Sequence, residues 1–394
     1  MKTLKNIQNL KNKKVLVRVD FNVPVGDDGI IDGKEDWRIR AALPTIKYLL
    51  EKKAKIVLMS HLGRPRKHQI SASNVAVDFR LRGNDKTIGY SLKPAASRLE
   101  ELLNRKIKFV DDCIGEKVKK AVEEMRAGGI ILLENLRFYK EEKNNDEGFA
   151  RKLADLADIY INNAFSVSHR RHASVCAVTK FLPSYAGLLL EKEVGVLSVA
   201  INNPEKPATV IVGGAKVETK LPMIKYLVNK FDNILVGGVV ANEMLDSVLA
   251  EKHISNTPHP LRELPLSRRE YFQEMDDQNL KIKLPIDFVR ENNKRLDIGP
   301  ETAKLYSKII ADSKTVIWNG PMGLFEKEDF SLGTKAISEA VAKAKGYIII
   351  GGGDTIAAVH KFGDLEKISY VCTGGGAMLE FLAGKKMPGL KALK

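Results

Sequence analysis

Short apolar, β-branched runs alternate along this chain with longer stretches whose apolar positions recur every three to four residues. The runs fall at 15–19, 56–59, 107–110, 130–133 and 159–161 in the first half, and at 208–212, 234–236, 283–286, 315–318, 347–350 and 368–372 in the second. Between the early runs, the stretches 37–50, 92–103, 116–125 and 149–156 carry the helical period. Strand, loop and helix in alternation predict parallel sheets covered by helices on both faces. Pro44 falls inside the 37–50 period and predicts a kink or break there. A long helical pattern at 188–194, between Pro183 and the pair Pro204 and Pro207, reads as a connector. The expectation is an α/β protein of two lobes, each a Rossmann-like three-layer unit with a parallel sheet and helices on both faces, joined by a hinge helix. The lobes are placed at 1–183 and 207–380, the hinge at 184–206, and the segment 381–394 is expected to return to the first lobe. The stretch 66–90 is polar and weakly periodic, and reads as an excursion with a hairpin around 75–82.

The residues just past the strands differ between the halves. In the first half they are Asp20 and Asn22, then His61 and Arg64, then Arg137, then His169, Arg170 and His172, with Arg38 opening a helix. In a parallel sheet these ends face one way, so the set forms a basic basket sized for a small molecule with more than one negative charge. Arginine suits it because its planar fork grips carboxylate and phosphate bidentately. Any one of these arginines alone is better read as a surface ion-pair partner; the set is not. The histidines sit among arginines, where they suit anions better than metals.

In the second half glycine dominates. Gly213-Gly214-Ala215-Lys216 leads on to Lys220, Gly237-Gly238 follows the next run, and Asn319-Gly320-Pro321-Met322-Gly323 runs on to Glu326. Two successive junctions, Gly351-Gly352-Gly353-Asp354-Thr355 and Thr373-Gly374-Gly375-Gly376, each open a helix. Bare backbone N–H groups and two helix N-termini side by side are a site for phosphate oxygens. Asp354 is placed to hold a metal ion on them. Glycines also let backbone approach a ligand closely. The division points to a nucleotide on the second lobe and a metabolite on the first.

Composition narrows this. Lys plus Arg minus Asp plus Glu is 64 − 49 = +15, which draws anions of any kind. The basic residues are spread out, with no polybasic tail and no basic stripe interleaved with aromatics, which argues against nucleic acid as the partner. No apolar run is long enough to span a membrane, and the N-terminus lacks the apolar region of a signal peptide. Cys113, Cys176 and Cys372 are scattered without zinc or disulfide spacing, which suits a cytoplasmic protein.

No GxxxxGK[ST] loop, no post-strand GxGxxG and no protein-kinase signature set occurs, so dehydrogenase and protein-kinase readings lapse. The groups left for chemistry are cations, glycines and Asp354. That inventory fits phosphoryl transfer, where positioning and charge neutralisation carry the catalysis.

Nine blocks then identify a family. Val19-Asp-Phe-Asn-Val-Pro24, Arg38-Ile-Arg-Ala-Ala-Leu-Pro-Thr-Ile46, Ser60-His-Leu-Gly-Arg-Pro65, Leu133-Glu-Asn-Leu-Arg-Phe138, His169-Arg-Arg-His-Ala-Ser174, Gly213-Gly-Ala-Lys-Val217, Trp318-Asn-Gly-Pro-Met-Gly323, Gly351-Gly-Gly-Asp-Thr355 and Thr373-Gly-Gly-Gly-Ala377 occur in the order of the phosphoglycerate kinases, which the chain resembles from about Val15 to Leu393. The resemblance implies 3-phosphoglycerate + ATP ⇌ 1,3-bisphosphoglycerate + ADP with Mg²⁺, in a monomer. It implies that Asp20, Asn22, Arg38, His61, Arg64, Arg137 and Arg170 form the phosphoglycerate site. It gives Lys216 and Lys220 to the nucleotide phosphates and the moving phosphoryl group, Asn319 to a phosphate, Glu326 to the ribose and Asp354 to the metal. Gly213, Gly237, Gly352, Gly353, Thr355, Gly374 and Gly375 complete the nucleotide side, with Arg38, Lys220, Gly353 and Gly375 expected at the reacting centre. Ligands split between lobes imply that the lobes close to react. The chain departs from the family pattern at Asn163 and Ser166, where Asp and Gly are usual, at Val239, where a third Gly is usual, in a longer 66–90 and in a shorter 249–283.

Overall fold

The computed structural model describes residues 1–65, 88–252 and 281–393. Most of the 66–90 excursion, its hairpin at 75–82, and most of 249–283 lie outside them. By contact the chain divides into two units, Met1–Val194 with a second piece beginning at Lys386, and Gly195–Lys385.

The first unit is built on a six-stranded sheet: β1 (Lys14–Arg18), β2 (Lys55–Met59), β3 (Lys108–Val110), β4 (Ile130–Leu133), β5 (Ile159–Asn162) and β6 (Ser184–Ala186), in the order β3-β4-β2-β1-β5-β6. Every neighbouring pair is parallel. Val15 and Val17 of β1, with Ile56 and Leu58 of β2, pack on Ile39, Ile46 and Leu49 of the helix Trp37–Glu51. β-Branched and Leu residues fill strands buried on both faces, as a helix-covered parallel sheet requires.

The second unit holds β7 (Ala208–Val212), β8 (Asn233–Val236), β9 (Ile282–Lys283), β12 (Thr315–Asn319), β13 (Tyr347–Gly351) and β14 (Tyr370–Cys372), in the order β14-β13-β12-β7-β8-β9, all parallel. The chain winds outward from β7 through β8, then restarts at β12 on β7's other flank. The crevice between β7 and β12 is thus the topological switch point where such sheets bind ligands. Trp318, Ile350, Ile211 and Tyr306 fill one side of this core.

Three details differ from the sequence expectation. Helix Trp37–Glu51 runs unbroken through Pro44. Ile39, Ala42, Thr45, Ile46 and Leu49, on both sides of the proline, are all buried, and that packing outweighs one missing helical hydrogen bond. The stretch 184–186, read as the start of the hinge, is an edge strand of the first sheet; only Leu188–Asn202 is helical. The expected strand 283–286 shrinks to Ile282–Lys283, and an antiparallel hairpin of β10 (Phe288–Glu291) and β11 (Lys294–Ile298) follows it. Its turn, Asn292-Asn293, has positive φ at both residues, 48° and 62°, as two-residue hairpin turns need and asparagine tolerates.

Tyr306, fully buried on helix Pro300–Asp312, lies with its hydroxyl 3.0 Å from the Val236 carbonyl and 2.5 Å from that of Lys283, tying the ends of β8 and β9 to the helix. Tyr306→Phe leaves both carbonyls without this donor, and should lower unfolding stability by about 1–3 kcal/mol in urea titration.

Candidate functional site

The first unit's strand ends converge as the parallel register requires. Asp20, just past β1, is 5% exposed. Its Oδ1 accepts the Asn22 N–H at 3.1 Å, its Oδ2 accepts the Ser166 hydroxyl at 2.5 Å, and Arg38 Nη1 lies 3.4 Å from Oδ2. Arg38, in the first turn of helix Trp37–Glu51, also donates to the Asn22 carbonyl at 2.8 Å and stacks over Trp37 at 4.9 Å. Asn22 Oδ1 accepts the Gly63 N–H at 2.7 Å, which fixes the turn between His61 and Arg64. Arg137 follows β4 in a one-turn segment capped by Asn135, and donates to the Gly63 carbonyl.

His61 is buried. Burial first, then Arg18, Arg137, Arg170 and Arg38, hold its pKa well below the ordinary value. Arg18 Nη2 stands 3.1 Å from its Nδ1, and a guanidinium only donates, so Nδ1 accepts and the proton of the neutral ring sits on Nε2. His169 is held down to about 4 by burial, Arg170 and His172. Arg170 Nε lies 3.1 Å from His169 Nε2. Burial, with Arg170 and Arg18, brings Arg137 down to about 10, so it is still charged at neutral pH. Burial, with Arg137, Arg64 and Arg170, also lowers Lys143. The shifts of Arg137 and Lys143 place both, with Arg64 and Arg170, in one field of like charge, although Arg64 is exposed.

Two members of this cluster escape a reading of strand ends alone. Arg18 is the last residue of β1 and fully buried; it bonds Ser174 Oγ at 2.9 Å and the Val19 carbonyl. The signal was an arginine closing an otherwise apolar strand. Glu142 supplies the counter-charge. Burial works against its ionisation, but His172, Arg18 and Ser174 hold its pKa below the usual value. At Asn163, Oδ1 accepts from Thr45 Oγ1 at 2.8 Å and the Leu189 N–H at 3.1 Å, joining helix Trp37–Glu51 to the start of Leu188–Asn202, while its Nδ2 is buried without a partner. Arg137 Nε and Nη2 and Arg38 Nε are likewise buried without partners. A buried charged donor left unpaired is unfavourable by more than about 1–3 kcal/mol, and an anion would satisfy these guanidinium nitrogens.

In the second unit the glycines sort into two kinds. Those after β7 and β8 meet protein. A Cβ on Gly213 would strike the carbonyls of Pro321 and Gly320, and one on Gly237 would lie 2.6 Å from Met322 Sδ. Gly238, at φ 61°, would place a Cβ 2.6 Å from Gly214 N. The loop 319–322 is thereby laced to β7 and β8 through Gly213 N–H to Asn319, Gly214 N–H to Pro321 and Gly238 N–H to Met322, at 3.0, 2.7 and 2.8 Å. The two helix-opening junctions meet each other: a Cβ on Gly375 would lie 2.7 Å from Gly352 Cα, whereas one on Gly353 would meet nothing within 4 Å. Gly352 and Gly374 are the N-cap residues of Gly353–Phe362 and Gly375–Leu382. Two helix N-termini are therefore side by side.

Lys220, 4% exposed on helix Val217–Leu227, points its Nζ at the carbonyls of Gly213 and, at 3.4 Å, Asn319. Burial pulls its pKa to about 8; Asp354 opposes the drop and Lys216 adds to it. Lys216 and Asp354 are exposed. Asn319 Nδ2 donates to the Gly351 carbonyl at 2.6 Å, and Thr355 Oγ1 accepts the Gly320 N–H at 2.7 Å, so both brace the junction. Glu326 is exposed, on a turn held to helix Gly353–Phe362 by Lys361 Nζ at 3.1 Å from the Phe325 carbonyl. Among the described residues no cluster of three or more His, Cys, Asp or Glu could hold a metal alone, and no helix is long and apolar enough to cross a membrane.

The model of the phosphoglycerate kinase family matches residues 4–385. The chain is 42% identical over 411 residues to phosphoglycerate kinase of Desulfosudis oleivorans, covering 100% of this chain and 99% of the relative. With the enzyme of Moorella thermoacetica it shares 43% over 413 residues, covering 99% and 98%. It superposes on the crystal structure of phosphoglycerate kinase from Pyrococcus horikoshii OT3 with a TM-score of 0.80 at 31% identity, covering 100% and 98% of the two chains. For the Coxiella burnetii phosphoglycerate kinase structure the TM-score is 0.79 at 36% identity, covering 99% and 98%. The chain belongs to the phosphoglycerate kinase family, and its activity is ATP-dependent phosphoryl transfer to 3-phosphoglycerate in glycolysis.

Proposed function

We propose that the first unit binds 3-phosphoglycerate through Asp20, Asn22, Arg38, His61, Arg64, Arg137 and Arg170, and that the second binds ATP or ADP through the glycine junctions, Lys216 and Lys220. The observation that carries this is the set of buried, unpartnered guanidinium nitrogens of Arg38 and Arg137. They are donors in a basket of like charge, and an incoming carboxylate or phosphate satisfies them. Asp20 needs a separate account, because a carboxylate repels both ends of the substrate. The one hydrogen-bond donor on 3-phosphoglycerate is its hydroxyl, so Asp20 recognises that group. His61 Nε2–H adds a neutral donor.

The substrate's carboxylate is ionised at neutral pH and attacks the γ-phosphorus of ATP. Its oxygen bonds to phosphorus while the bond to the β,γ-bridging oxygen breaks, and ADP leaves. The nucleophile has no proton to lose, so no base is required. What this chain supplies is charge compensation: Arg38 on the acceptor side, Lys220 and the N–H groups of Gly353 and Gly375 on the phosphate side. Asp354 is the residue that would hold Mg²⁺; a lone exposed carboxylate fits an ion that takes its remaining ligands from nucleotide phosphates and water. Bound there, the ion neutralises phosphate charge. Asn319 and Thr355 act by bracing the junction, and Glu326 is assigned to the ribose.

Lys220→Ala should lower kcat by about 10²–10³ while calorimetry shows nucleotide still binding; near-native turnover would remove Lys220 from the reaction. The working form of Lys220 is the ammonium, and its pKa of about 8 sets where that form is lost. The kcat/KM profile should therefore be level below that pH and fall about tenfold per unit above it, with kcat falling later because bound phosphates favour the ammonium. Asp354→Asn should raise the Mg²⁺ concentration for half-maximal rate about tenfold or more, leaving the KM for phosphoglycerate unchanged in steady-state assays.

A further inference from the structure

Ser166 stands where β5 hands the chain to the loop bearing His169 and Arg170. It lies in the single 3₁₀ turn Phe165–Val167, which is closed by the Ser168 N–H on the Phe165 carbonyl at 2.9 Å. The Ala164 N–H on Asn162 Oδ1 at 3.0 Å fixes the approach. The hydroxyl is thus delivered by a braced backbone, and its 2.5 Å bond to Asp20 Oδ2 is the closest contact that carboxylate makes.

Three further groups surround Asp20, and they are not equivalent. Oδ1 takes the Asn22 N–H at 3.1 Å. His61 Nδ1 is 3.9 Å from Oδ1 but already faces an Arg18 donor, so it has no proton to offer. Arg38 Nη1 lies 3.4 Å from Oδ2, well beyond the roughly 2.7–2.9 Å of a charge-assisted N–H···O bond. A half-buried arginine and a buried aspartate this close would ordinarily close into a tight pair. Here the oxygen that Arg38 faces already accepts the Ser166 hydroxyl.

We propose that Ser166 is a positioning residue for the acceptor substrate. It holds Asp20 by Oδ2 and keeps it from closing on Arg38, so that the carboxylate meets the substrate hydroxyl and the guanidinium meets the substrate's negative charge. This rests on the reading of Asp20 as the group that recognises the hydroxyl. Without Ser166, Asp20 and Arg38 pair with each other in the free enzyme, and substrate must break that pair to bind. The two groups that matter most to the acceptor would be spent on one another.

The test uses Ser166→Ala and Ser166→Gly in the full chain; the second adds no atoms and adopts the backbone of any turn. Two ligands are compared by calorimetry: 3-phosphoglycerate, and the same molecule lacking its 2-hydroxyl. Both variants should weaken 3-phosphoglycerate about tenfold, the worth of a hydrogen bond to a charged group, with the cost in KM more than in kcat and with the KM for ATP unmoved. The deoxy ligand must still free Arg38 but asks nothing of Asp20, so it escapes the part of the loss that comes from misplacing Asp20 and should lose distinctly less. Equal losses on both ligands would mean a general structural role and overturn the proposal, as would native affinity for 3-phosphoglycerate. Asp20→Ala separates the two levels. If it keeps native preference for the hydroxyl, the reading of Asp20 falls and this one with it. If it abolishes the preference while the Ser166 variants retain it, only the role of Ser166 is lost.

Discussion

Cations packed against cations are the condition that the first unit has to satisfy. Arg18, Arg137, Arg170, Arg64 and Lys143 share one field, and its signs are visible in Arg137 brought down to about 10 and His61 kept neutral. Such a cluster holds only if each charge has either a fixed partner or a ligand. Arg18 has fixed partners: Ser174, the Val19 carbonyl and His61. Glu142, buried and hydrogen-bonded by Ser174 at 2.6 and 2.9 Å, supplies the matching negative charge beneath. Arg137 has one carbonyl and two idle nitrogens. The cluster is therefore graded, from satisfied groups below to unsatisfied ones that an anion would pair. His61 fits that grading: a neutral ring can donate without adding to the repulsion.

The second unit, to which we assign the nucleotide, presents little side-chain charge. Phosphates need donors, and backbone N–H groups at helix starts provide them without the desolvation that buried lysines and arginines suffer. Lys220 is the exception, and its depressed pKa follows from burying one ammonium. Its neighbours are carbonyls from the ends of β7 and β12, so the strand ends that shape the crevice also hold its cation.

Much of this was legible in the chain. Parallel strands were readable from the alternation of apolar runs and helical periods, and parallelism alone forces residues after successive strands onto one edge, which is why Asp20, His61, Arg137 and Arg170 could be grouped. Arg18 could not be grouped, because a residue inside a strand gives no sign of which neighbour it meets. Ser166 and Asn163 stood out as departures, yet their partners, Asp20 and Thr45, lie more than a hundred positions away and only tertiary packing names them. The break allowed for at Pro44 is absent because propensity is local and the burial of Ile39, Ile46 and Leu49 is not. The hairpin at 288–298 had its marker in Asn292-Asn293, but strands this short and half exposed carry almost no apolar pattern.

The two kinds of glycine have a consequence for how this protein tolerates change. Gly213 and Gly238 are pressed against neighbouring backbone, and the fold excludes a side chain there whatever is bound. Gly353 has open space around the position a Cβ would take. A survey of substitutions scored on activity alone would mark both as intolerant and treat them as one class. Scored on abundance as well, Gly213 and Gly238 variants should vanish from the folded pool, while a Gly353→Ala protein accumulates normally and fails only when nucleotide arrives. The first pair belongs to the history of the fold, and the second position to that of the ligand we assign to it.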